Sequence, residues 1–320
     1  DQPRSRGLGD VYKRQPVILY IKNESDYRAP QSAKINRIIN CTVSGCHVGL
    51  YQYYSSLYVE NSTLSNCDSD IYLSNDTLCL LLNTTFNDDT VIFDNYNATL
   101  DVKWYMHVYV TDHRDNPVDG ADITVYDRNG NIIANASTDS SGMVKWIVCN
   151  EYVRNSSVIH WYTPHTIHAS KEGYMDNTTY VNVTCSLLVK IVLNKIPVII
   201  TNDSTVAYED HEYYVDYDAV DDDGNLTWSL ITNATWLSIN MSSGELYGIP
   251  TQMDVGWFWV NISVYDAHGA FDYHNFTLTV INVNDAPIIT TNDTTIAYED
   301  SLYYVDYNAY DEDGDPLTWH

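Results

Sequence analysis

One stretch of this chain occurs twice, and the distance between the two copies strongly limits what the chain can fold into. Residues 197–225 and 287–315 both contain Tyr-Glu-Asp and, further on, an Asp-x-Asp-Gly segment. The copies are about 90 residues apart, which is the length of one small β-sandwich. The sequence therefore predicts tandem β-sandwich repeats, one over 197–286 and the first part of another over 287–320.

The composition indicates a folded and strongly acidic protein. The 320 residues are 44% hydrophobic, enough for each of several domains to bury a core, and the net charge is −27. This acidity excludes nucleic acid as a partner, because phosphates attract positive charge. No apolar run reaches the roughly 18 residues of a membrane span, so we expect membrane attachment only through segments outside this sequence. Residues 1–15 resemble translated cloning adaptor sequence and are left out of the fold prediction.

A shorter period is present in residues 16–100. The triplets at Asn40, Asn61 and Asn83 follow one another after 21 and 22 residues. This is the length of one coil of a parallel β-solenoid, where equivalent side chains stack about 4.8 Å apart and asparagine amides form ladders. The segment resembles the last coils of a right-handed parallel β-helix of the pectate-lyase-like superfamily. The alternative is another β-rich fold with asparagine in its turns.

Residues 101–196 alternate between apolar and polar side chains, with turns of Gly, Asp and Asn between the alternating runs. This pattern predicts short antiparallel strands with one buried face. A Pro-Val-x-Gly-Ala turn at Pro117 and a Thr-Asp-x-x-Gly turn at Thr138 resemble those of the transthyretin-like or carboxypeptidase-regulatory-like fold. That resemblance implies a structural role rather than catalysis.

The cysteines suggest two pairs. The β-helix resemblance implies that Cys46 stacks on Cys67, either as a buried thiol pair or as a disulfide. Cys149 and Cys185 lie in one predicted domain and are a second candidate pair. No cysteine has the short paired spacing of a zinc site.

Three motifs characterise the repeat over 197–286. They are Trp236-Leu, Gly244-Glu-Leu-Tyr-Gly-Ile-Pro and Asn282-Val-Asn-Asp-Ala-Pro. Together they resemble the cadherin-like and immunoglobulin-like repeats of the dystroglycan type. The whole arrangement predicts an all-β chain, with parallel β-helix coils followed by tandem antiparallel β-sandwiches. It resembles the surface-layer and adhesin-type glycoproteins of archaea.

In cadherin-like repeats calcium binds where successive domains meet, so the resemblance implies calcium here as well. The residues implied at the joint near residue 286 are Glu209, Asn282, Asn284, Asp285, Asp311 and Asp313. A weaker set implied at the opposite end of the repeat is Asp221, Asp223 and Asp266. Cadherins carry Asp-Arg-Glu where this chain has Asp254-Val-Gly, so we expect at most one complete site, near residue 286. The alternative is that the Asp-x-Asp-Gly segments are solvated turns.

Seventeen Asn-x-Ser/Thr sequons occur along the chain. Such an excess favours an exported, glycosylated protein, and we expect an extracellular or cell-surface location. Asparagine-rich turns of a β fold are the alternative explanation. The candidate glycosylation sites are Asn40, Asn61, Asn83, Asn135, Asn177 and Asn261.

No catalytic motif stands out in the sequence. Uronate lyases need a basic group, and no Lys or Arg lies between Ile38 and Val102. Glycosidases need two facing carboxylates, whereas Glu60, Asp68 and Asp70 are better explained as turn acids. We expect a non-catalytic spacer or adhesion segment that binds calcium, with cell-surface proteins or glycans as partners. The alternative is the accessory region of a secreted polysaccharide-active β-helix enzyme whose catalytic coils lie outside this sequence.

Two further groups of residues have weaker functional interpretations. Trp257 and Trp259 are predicted to point outward from one strand, either to bind a sugar or partner or, as we favour, to cover a neighbouring edge or glycan. His160, His165 and His168 do not share one strand face, so we expect strand or turn histidines rather than a metal site.

Overall fold

The computed structural model of the chain describes residues 19–22, 36–95, 97–222 and 224–320, the first of these ranges as backbone only. These residues form β-strands and two short 3-10 helices, Asp88–Thr90 and Gln252–Asp254. They divide into two compact units, with the boundary between Leu193 and Asn194. None of the helices in the described part has the length and apolar character that a membrane crossing requires.

The first unit begins with a parallel solenoid. Its strands are β1 Leu19–Lys22, β2 Asn36–Ile39, β3 Thr42–Ser44, β4 Val48–Tyr53, β5 Ser56–Glu60, β6 Thr63–Ser65, β7 Ser69–Ser74, β8 Leu78–Leu82 and β9 Val91–Phe93. They stack as three parallel sheets, β1-β4-β7-β9, β2-β5-β8 and β3-β6. Paired residues are one coil apart, as in Leu50 with Ile71 and Leu57 with Cys79. The predicted β-solenoid coils are therefore confirmed.

The asparagine ladder has a backbone cause. Asn40, Asn61 and Asn83 have φ values of 55°, 49° and 48°, a left-handed conformation that asparagine tolerates better than most residues. The Asn83 side chain donates from Nδ2 to Asn61 Oδ1 at 2.8 Å. Each coil therefore turns at the same residue type, and the side chains of two successive turns are hydrogen-bonded to each other.

Neither predicted cysteine pair forms a disulfide. Cys46 and Cys67 lie on adjacent coils, but both thiols are free and only half-buried. Each thiol donates to a carbonyl oxygen two residues earlier on its own turn, at 3.4 Å and 3.5 Å. The two thiols also interact with each other, so Cys46 stacks on Cys67 as a thiol pair without a disulfide. Cys149 is buried in the core whereas Cys185 is exposed, and both thiols of this second candidate pair are free.

The solenoid continues directly into the following sandwich. Its strands are β10 Thr99–Thr111, β11 Asp122–Tyr126, β12 Ile132–Ser137, β13 Met143–Arg154, β14 Ile159–Trp161, β15 His165–Ser170, β16 Tyr174–Met175, β17 Asn177–Val181 and β18 Leu187–Val192. Strand β10 pairs with β8 over Thr99–Lys103 and with β18 over Met106–Thr111. The predicted boundary at residues 100 and 101 therefore falls inside β10.

One continuous core joins the solenoid to the sandwich. The second sheet of the sandwich has the order β12-β11-β15-β17. Leu57 and Leu81 of the solenoid belong to the same buried cluster as Met106, Ile123 and Ile191 of the sandwich. Burial of this shared apolar surface holds the two parts together.

The second unit contains the repeated sequence. Its strands are β19 Asn194–Lys195, β20 Val198–Ile199, β21 Val206–Tyr208, β22 Tyr213–Asp216, β23 Ala219–Val220, β24 Thr227–Thr232, β25 Ser238–Ile239, β26 Glu245–Gly248, β27 Gly256–Tyr265, β28 Phe271–Ile281, β29 Ile288–Ile289 and β30 Ala309–Tyr310. Sheets β21-β28-β27-β24 and β22-β26-β25 bury a common core that includes Trp228, Leu246, Ile262 and Leu278. The predicted all-β sandwich is confirmed.

The described residues of the second copy form one short pair of antiparallel β-strands. Strand β29 pairs with β30, Ile288 opposite Tyr310 and Ile289 opposite Ala309. Its large apolar side chains stay exposed, with Leu302 at 91%. Residues 287–320 therefore contribute little buried surface to the unit.

The three candidate histidines do not converge. His165 is completely buried in β15, and neither ring nitrogen has a hydrogen-bond partner in the described part of the chain. His160 is exposed in β14 and His168 contacts Thr178. Burial lowers the pKa of His165, and the charge of Asp127 partly opposes that.

We expect His165 to make the first unit sensitive to acid. The pKa of His165 is lowered in the folded chain, so folding favours the neutral imidazole. The first unit is therefore most stable above about pH 6.5, and it loses free energy of unfolding as the pH falls towards the lower folded pKa. His165→Phe removes two buried ring nitrogens that have no hydrogen-bond partner among the described residues, so it should raise the free energy of unfolding by about 1 kcal/mol. It should also remove this acid sensitivity, because phenylalanine does not take up a proton. Urea unfolding at neutral and acidic pH measures both effects, with exposed His160→Phe as the control. Equal acid sensitivity in His165→Phe and the unchanged chain would contradict the prediction.

Candidate metal centre

The candidate centre lies at one edge of the sheet that contains β21 and β28. These strands run parallel, with Tyr208 paired to Ile281 at their ends. The next residues, Glu209 and Asn282, are therefore neighbours although more than 70 positions separate them. The Glu209 amide donates to Ile281 O at 3.0 Å, and the Val283 amide donates to Glu209 Oε2 at 3.2 Å. The parallel pairing thus brings two predicted site residues together.

Three carboxylates meet at this edge. Oxygen atoms of Glu209, Asp210 and Asp285 lie within 4.8 Å of one another. Glu209 is completely buried, Asp285 is half-buried and Asp210 is exposed. Asp210 has a φ of 53°, and the equivalent Asp300 of the second copy has a φ of 60°, so both copies make the same left-handed turn. The group combines one buried acid with two acids nearer to the solvent.

A fourth carboxylate comes from the second copy of the repeat. Asp313 accepts from Asn282 Nδ2 at 2.7 Å and from the Asp285 amide at 2.6 Å. Asp285 Oδ2 is itself buried and has no hydrogen-bond partner among the described residues. The two hydrogen bonds place Asp313 of the second copy against the end of the first.

Gln252 supplies an amide to the same corner. With its amide nitrogen facing Glu209, that nitrogen lies 2.6 Å and 2.9 Å from the two carboxylate oxygens and 2.7 Å from Asn282 Oδ1. The residue begins the 3-10 helix Gln252–Asp254. Thr251 precedes that helix and donates to Asp254 through its amide and its hydroxyl, both at 2.9 Å. This cap holds Gln252 beside the acids.

The negative charge gathered at this edge contributes to a raised pKa of Glu209. Burial raises the pKa of Glu209, the Val283 amide lowers it, and the charges of Asp285, Asp210 and Asp313 raise it further. Removing water from a carboxylate and placing it among like charges both disfavour its ionised form. A proton or a cation bound at this corner relieves that cost.

The other predicted ligands have local roles. Asp266 accepts from the amides of His268 and Ala270 at 2.8 Å and 2.9 Å, and from Asn194 Nδ2 at 2.7 Å. Such turns, in which an aspartate accepts from the amide four residues later, recur along the chain. The residues at the first position of these turns are Asp112, Asp127, Asp139, Asp266 and Asp311. The turn interpretation of the Asp-x-Asp-Gly segments therefore describes Asp311, and Asp266 makes a turn of the same kind.

The remaining predicted positions are not brought into the group. Asn284 is exposed, and its amide nitrogen donates to the carbonyl oxygen of Asp285 at 2.9 Å. Asp221 is half-buried at the position equivalent to Asp311 in the first copy. Asp223 lies outside the described residues. The sequence reasoning missed Asp210 and Gln252, although the repetition of Asp210 in the second copy was a visible signal.

The candidate glycosylation asparagines differ in how their side-chain nitrogens are used. Asn40, Asn61 and Asn135 are exposed. The other three donate from Nδ2 to neighbouring groups of the chain, in contacts that engage the atom a glycan would modify. These contacts are Asn83 with Asn61 Oδ1, Asn177 with Val192 O at 2.8 Å, and Asn261 with Asn275 Oδ1 at 2.6 Å.

We expect glycosylation to discriminate between Asn261 and Asn275, which face each other across β27 and β28. Asn261 donates to Asn275 Oδ1, which leaves Asn275 Nδ2 pointing away from this contact, and Asn275 is exposed. In a host that glycosylates sequons, Asn275 should carry the glycan and Asn261 should not. Mass spectrometry of glycopeptides measures the occupancy, and a modified Asn261 beside an unmodified Asn275 would contradict the prediction.

Residues 196–281 match the family model described as "Putative Ig domain". The immunoglobulin-like resemblance of this segment is confirmed. No curated protein matches the chain. An archaeal origin stays a prediction.

Solved structures match parts of the chain at low similarity. BcpA, the major pilin subunit of Bacillus cereus, is 12% identical over 58% of this chain and 71% of its own, with a TM-score of 0.32. Human CDH23 EC21-23 is 13% identical over 65% of this chain and 78% of its own, with a TM-score of 0.28. A putative alpha-galactosidase from Bacteroides fragilis is 16% identical over 27% of this chain, with a TM-score of 0.23. The chain spans 18% of the length of that last protein.

Proposed function

We propose that the chain is a non-catalytic spacer or adhesion segment of a cell-surface or secreted glycoprotein, stiffened by calcium at the end of its first sandwich repeat. One observation carries this proposal, namely that oxygens of Glu209, Asp210 and Asp285 lie within 4.8 Å of one another. The immunoglobulin-like segment and the many sequons support the surface location. Surface proteins or glycans are the proposed partners.

The donor set suits calcium. Calcium binds six to eight oxygen atoms in flexible geometry, and both carboxylates and side-chain amides serve as ligands. The acids Glu209, Asp210 and Asp285 would hold the ion, and the unpartnered Asp285 Oδ2 fits that role. Magnesium prefers strict octahedral geometry and zinc prefers nitrogen or sulfur ligands, so both suit this group less well.

Bound calcium would have a mechanical effect. Glu209 and Asn282 belong to the first copy of the repeat, whereas Asp313 belongs to the second and contacts Asn282. An ion at this corner would neutralise acids from both sides and restrict their relative movement. The chain would then hold a binding head at a fixed distance from a surface.

Titration calorimetry tests the calcium proposal. Calcium chloride added to the chelator-treated full chain should bind with a Kd between about 10⁻⁷ and 10⁻³ M, the range of sensor and extracellular sites. Magnesium chloride should bind more weakly. Asp139→Asn, which removes a turn acid in the first unit, is the matched control and should bind calcium normally. The absence of calcium binding by the unchanged chain would refute the proposal.

A further inference from the structure

A cleft of about 490 Å³ opens in the first unit, between the last solenoid coil and the sandwich. Its volume is within the range of about 300–1,000 Å³ that is usual for small-molecule sites. The residues that give it its character are Phe86, Asp88, Trp104, Glu151, Tyr152 and Trp161. They come from the turn of the last coil, from β10, and from the β13 and β14 hairpin. None of them belongs to the candidate metal centre.

The aromatic wall presents one supported, accessible ring. Trp161 is 43% exposed, whereas Trp104 and Tyr152 are 8% and 5% exposed. The rings of Trp161 and Tyr152 meet edge to face, with centroids 5.1 Å apart. Because the buried Tyr152 supports it, the Trp161 indole forms a firm platform for another flat apolar surface.

Protein contacts hold the two acids of the cleft in place. Asp88 accepts from the Tyr152 hydroxyl at 2.6 Å and forms an ion pair with Arg154 at 2.9 Å. Glu151 accepts from Trp104 Nε1 at 2.6 Å. Burial raises the pKa of Glu151, the Trp104 indole lowers it, and the charge of Asp88 raises it. The cleft therefore presents oriented acceptor oxygens, with the charge of Asp88 compensated by Arg154.

We propose that this cleft binds a neutral sugar unit of an oligosaccharide. The apolar C–H face of a sugar ring packs on an indole, and its hydroxyls donate to carboxylate oxygens, which only accept when ionised. Sugar acids would be repelled by Glu151, since Arg154 compensates only the charge of Asp88. A simple cation is disfavoured because Arg154 already neutralises Asp88. The inference is independent of calcium binding by the second unit.

Oligosaccharide titrations of the full chain in chelator test this inference. The probes are cellohexaose, mannohexaose and xylohexaose, with the acidic hexagalacturonate for comparison, and binding is followed by calorimetry and tryptophan fluorescence. At least one neutral probe should bind, and hexagalacturonate should not. Trp161→Ala should weaken binding about tenfold, the upper end expected for one aromatic contact. Glu151→Gln should weaken it as well, through the lost acceptor.

Trp257→Ala provides the control, because Trp257 is 77% exposed but lies in the second unit. This variant should bind the same probe as tightly as the unchanged chain. The inference fails if no neutral probe binds, if hexagalacturonate binds more tightly, or if Trp257→Ala abolishes binding that Trp161→Ala retains. Since Trp161 is partly exposed, its replacement should leave the fold intact, and circular dichroism verifies this.

Discussion

Replacing Glu209 with glutamine is expected to abolish stabilisation by calcium while making the calcium-free chain more stable. In the unchanged chain, calcium at about a hundred times its Kd should add about 2.7 kcal/mol to the free energy of unfolding of the second unit. Glutamine removes the buried carboxylate from the proposed ligand group, so this gain should disappear. Hydrogen exchange of peptides covering residues 205–216 and 280–287, with and without calcium, measures the response at the site.

The calcium-free part of this prediction follows from the pKa of Glu209. That pKa is raised in the folded chain, so the folded state binds the proton more tightly than the unfolded state does. Without calcium, the second unit should gain stability as the pH falls from neutral, through the raised folded pKa, towards the ordinary value of 4.5. Glutamine mimics the protonated acid, so it should confer this gain at neutral pH and remove the pH dependence.

Glu245→Gln is a matched control in the same unit. Hydrogen bonds from Ser243, Tyr214 and Asn240 lower the pKa of Glu245, so its ionised form is favoured in the fold. The control should therefore be slightly less stable without calcium and should respond to calcium normally. Calcium protection that survives in Glu209→Gln would show that the ion binds elsewhere.

Gly244→Ala is expected to destabilise the second unit by about 3 kcal/mol or more, the sum of backbone strain and overpacking. Gly244 has a φ of +85°, and an added Cβ would collide with Tyr217 O and lie 2.8 Å from the Trp228 ring. Tyr217 and Trp228 are 1% and 3% exposed, so neither can move away easily. Urea unfolding followed by tryptophan fluorescence measures the loss.

Gly269→Ala separates the two causes of that loss. Gly269 has a similar φ of +94°, but nothing lies within 4 Å of an added Cβ. Only the backbone strain remains, so this variant should lose about 1 kcal/mol. Equal losses in the two variants would mean that the contact with Tyr217 and Trp228 does not restrict position 244.

Much of the fold was predictable because its signals are local and repeated. The 21- and 22-residue spacing of Asn40, Asn61 and Asn83 identified the coils, since every coil needs its turn at the same place. The period of about 90 residues and the Gly244 motif identified the sandwich repeat, since both recur or act locally along the chain. The extension of β10 from the solenoid into the sandwich left no such signal, because the strand continues one sheet that both parts share, without a change of pattern.

The candidate site was only partly predictable. The cadherin-like resemblance implied Glu209, whereas Asp210, the next residue of the repeated Tyr-Glu-Asp, was overlooked. Nothing in the sequence around Gln252 pointed to the site. Asp266 and Asp311 stay predicted ligands, and in the structure each of them accepts from the amide four residues later. The positions of acids in the sequence do not show which carboxylates accept hydrogen bonds from nearby backbone amides and which lie close to other carboxylates.

The sequence by itself determined the all-β class, the solenoid coils and the sandwich repeat, because periodic burial and turn residues act over short distances along the chain. Only the tertiary structure decided which acids meet. The parallel pairing of β21 with β28 brings Glu209 beside Asn282, and the packing of the second copy adds Asp313. Likewise, the cleft beside Trp161 exists only where the last coil meets the sandwich. Such sites depend on long-range packing, which places residues together without any regular spacing between them.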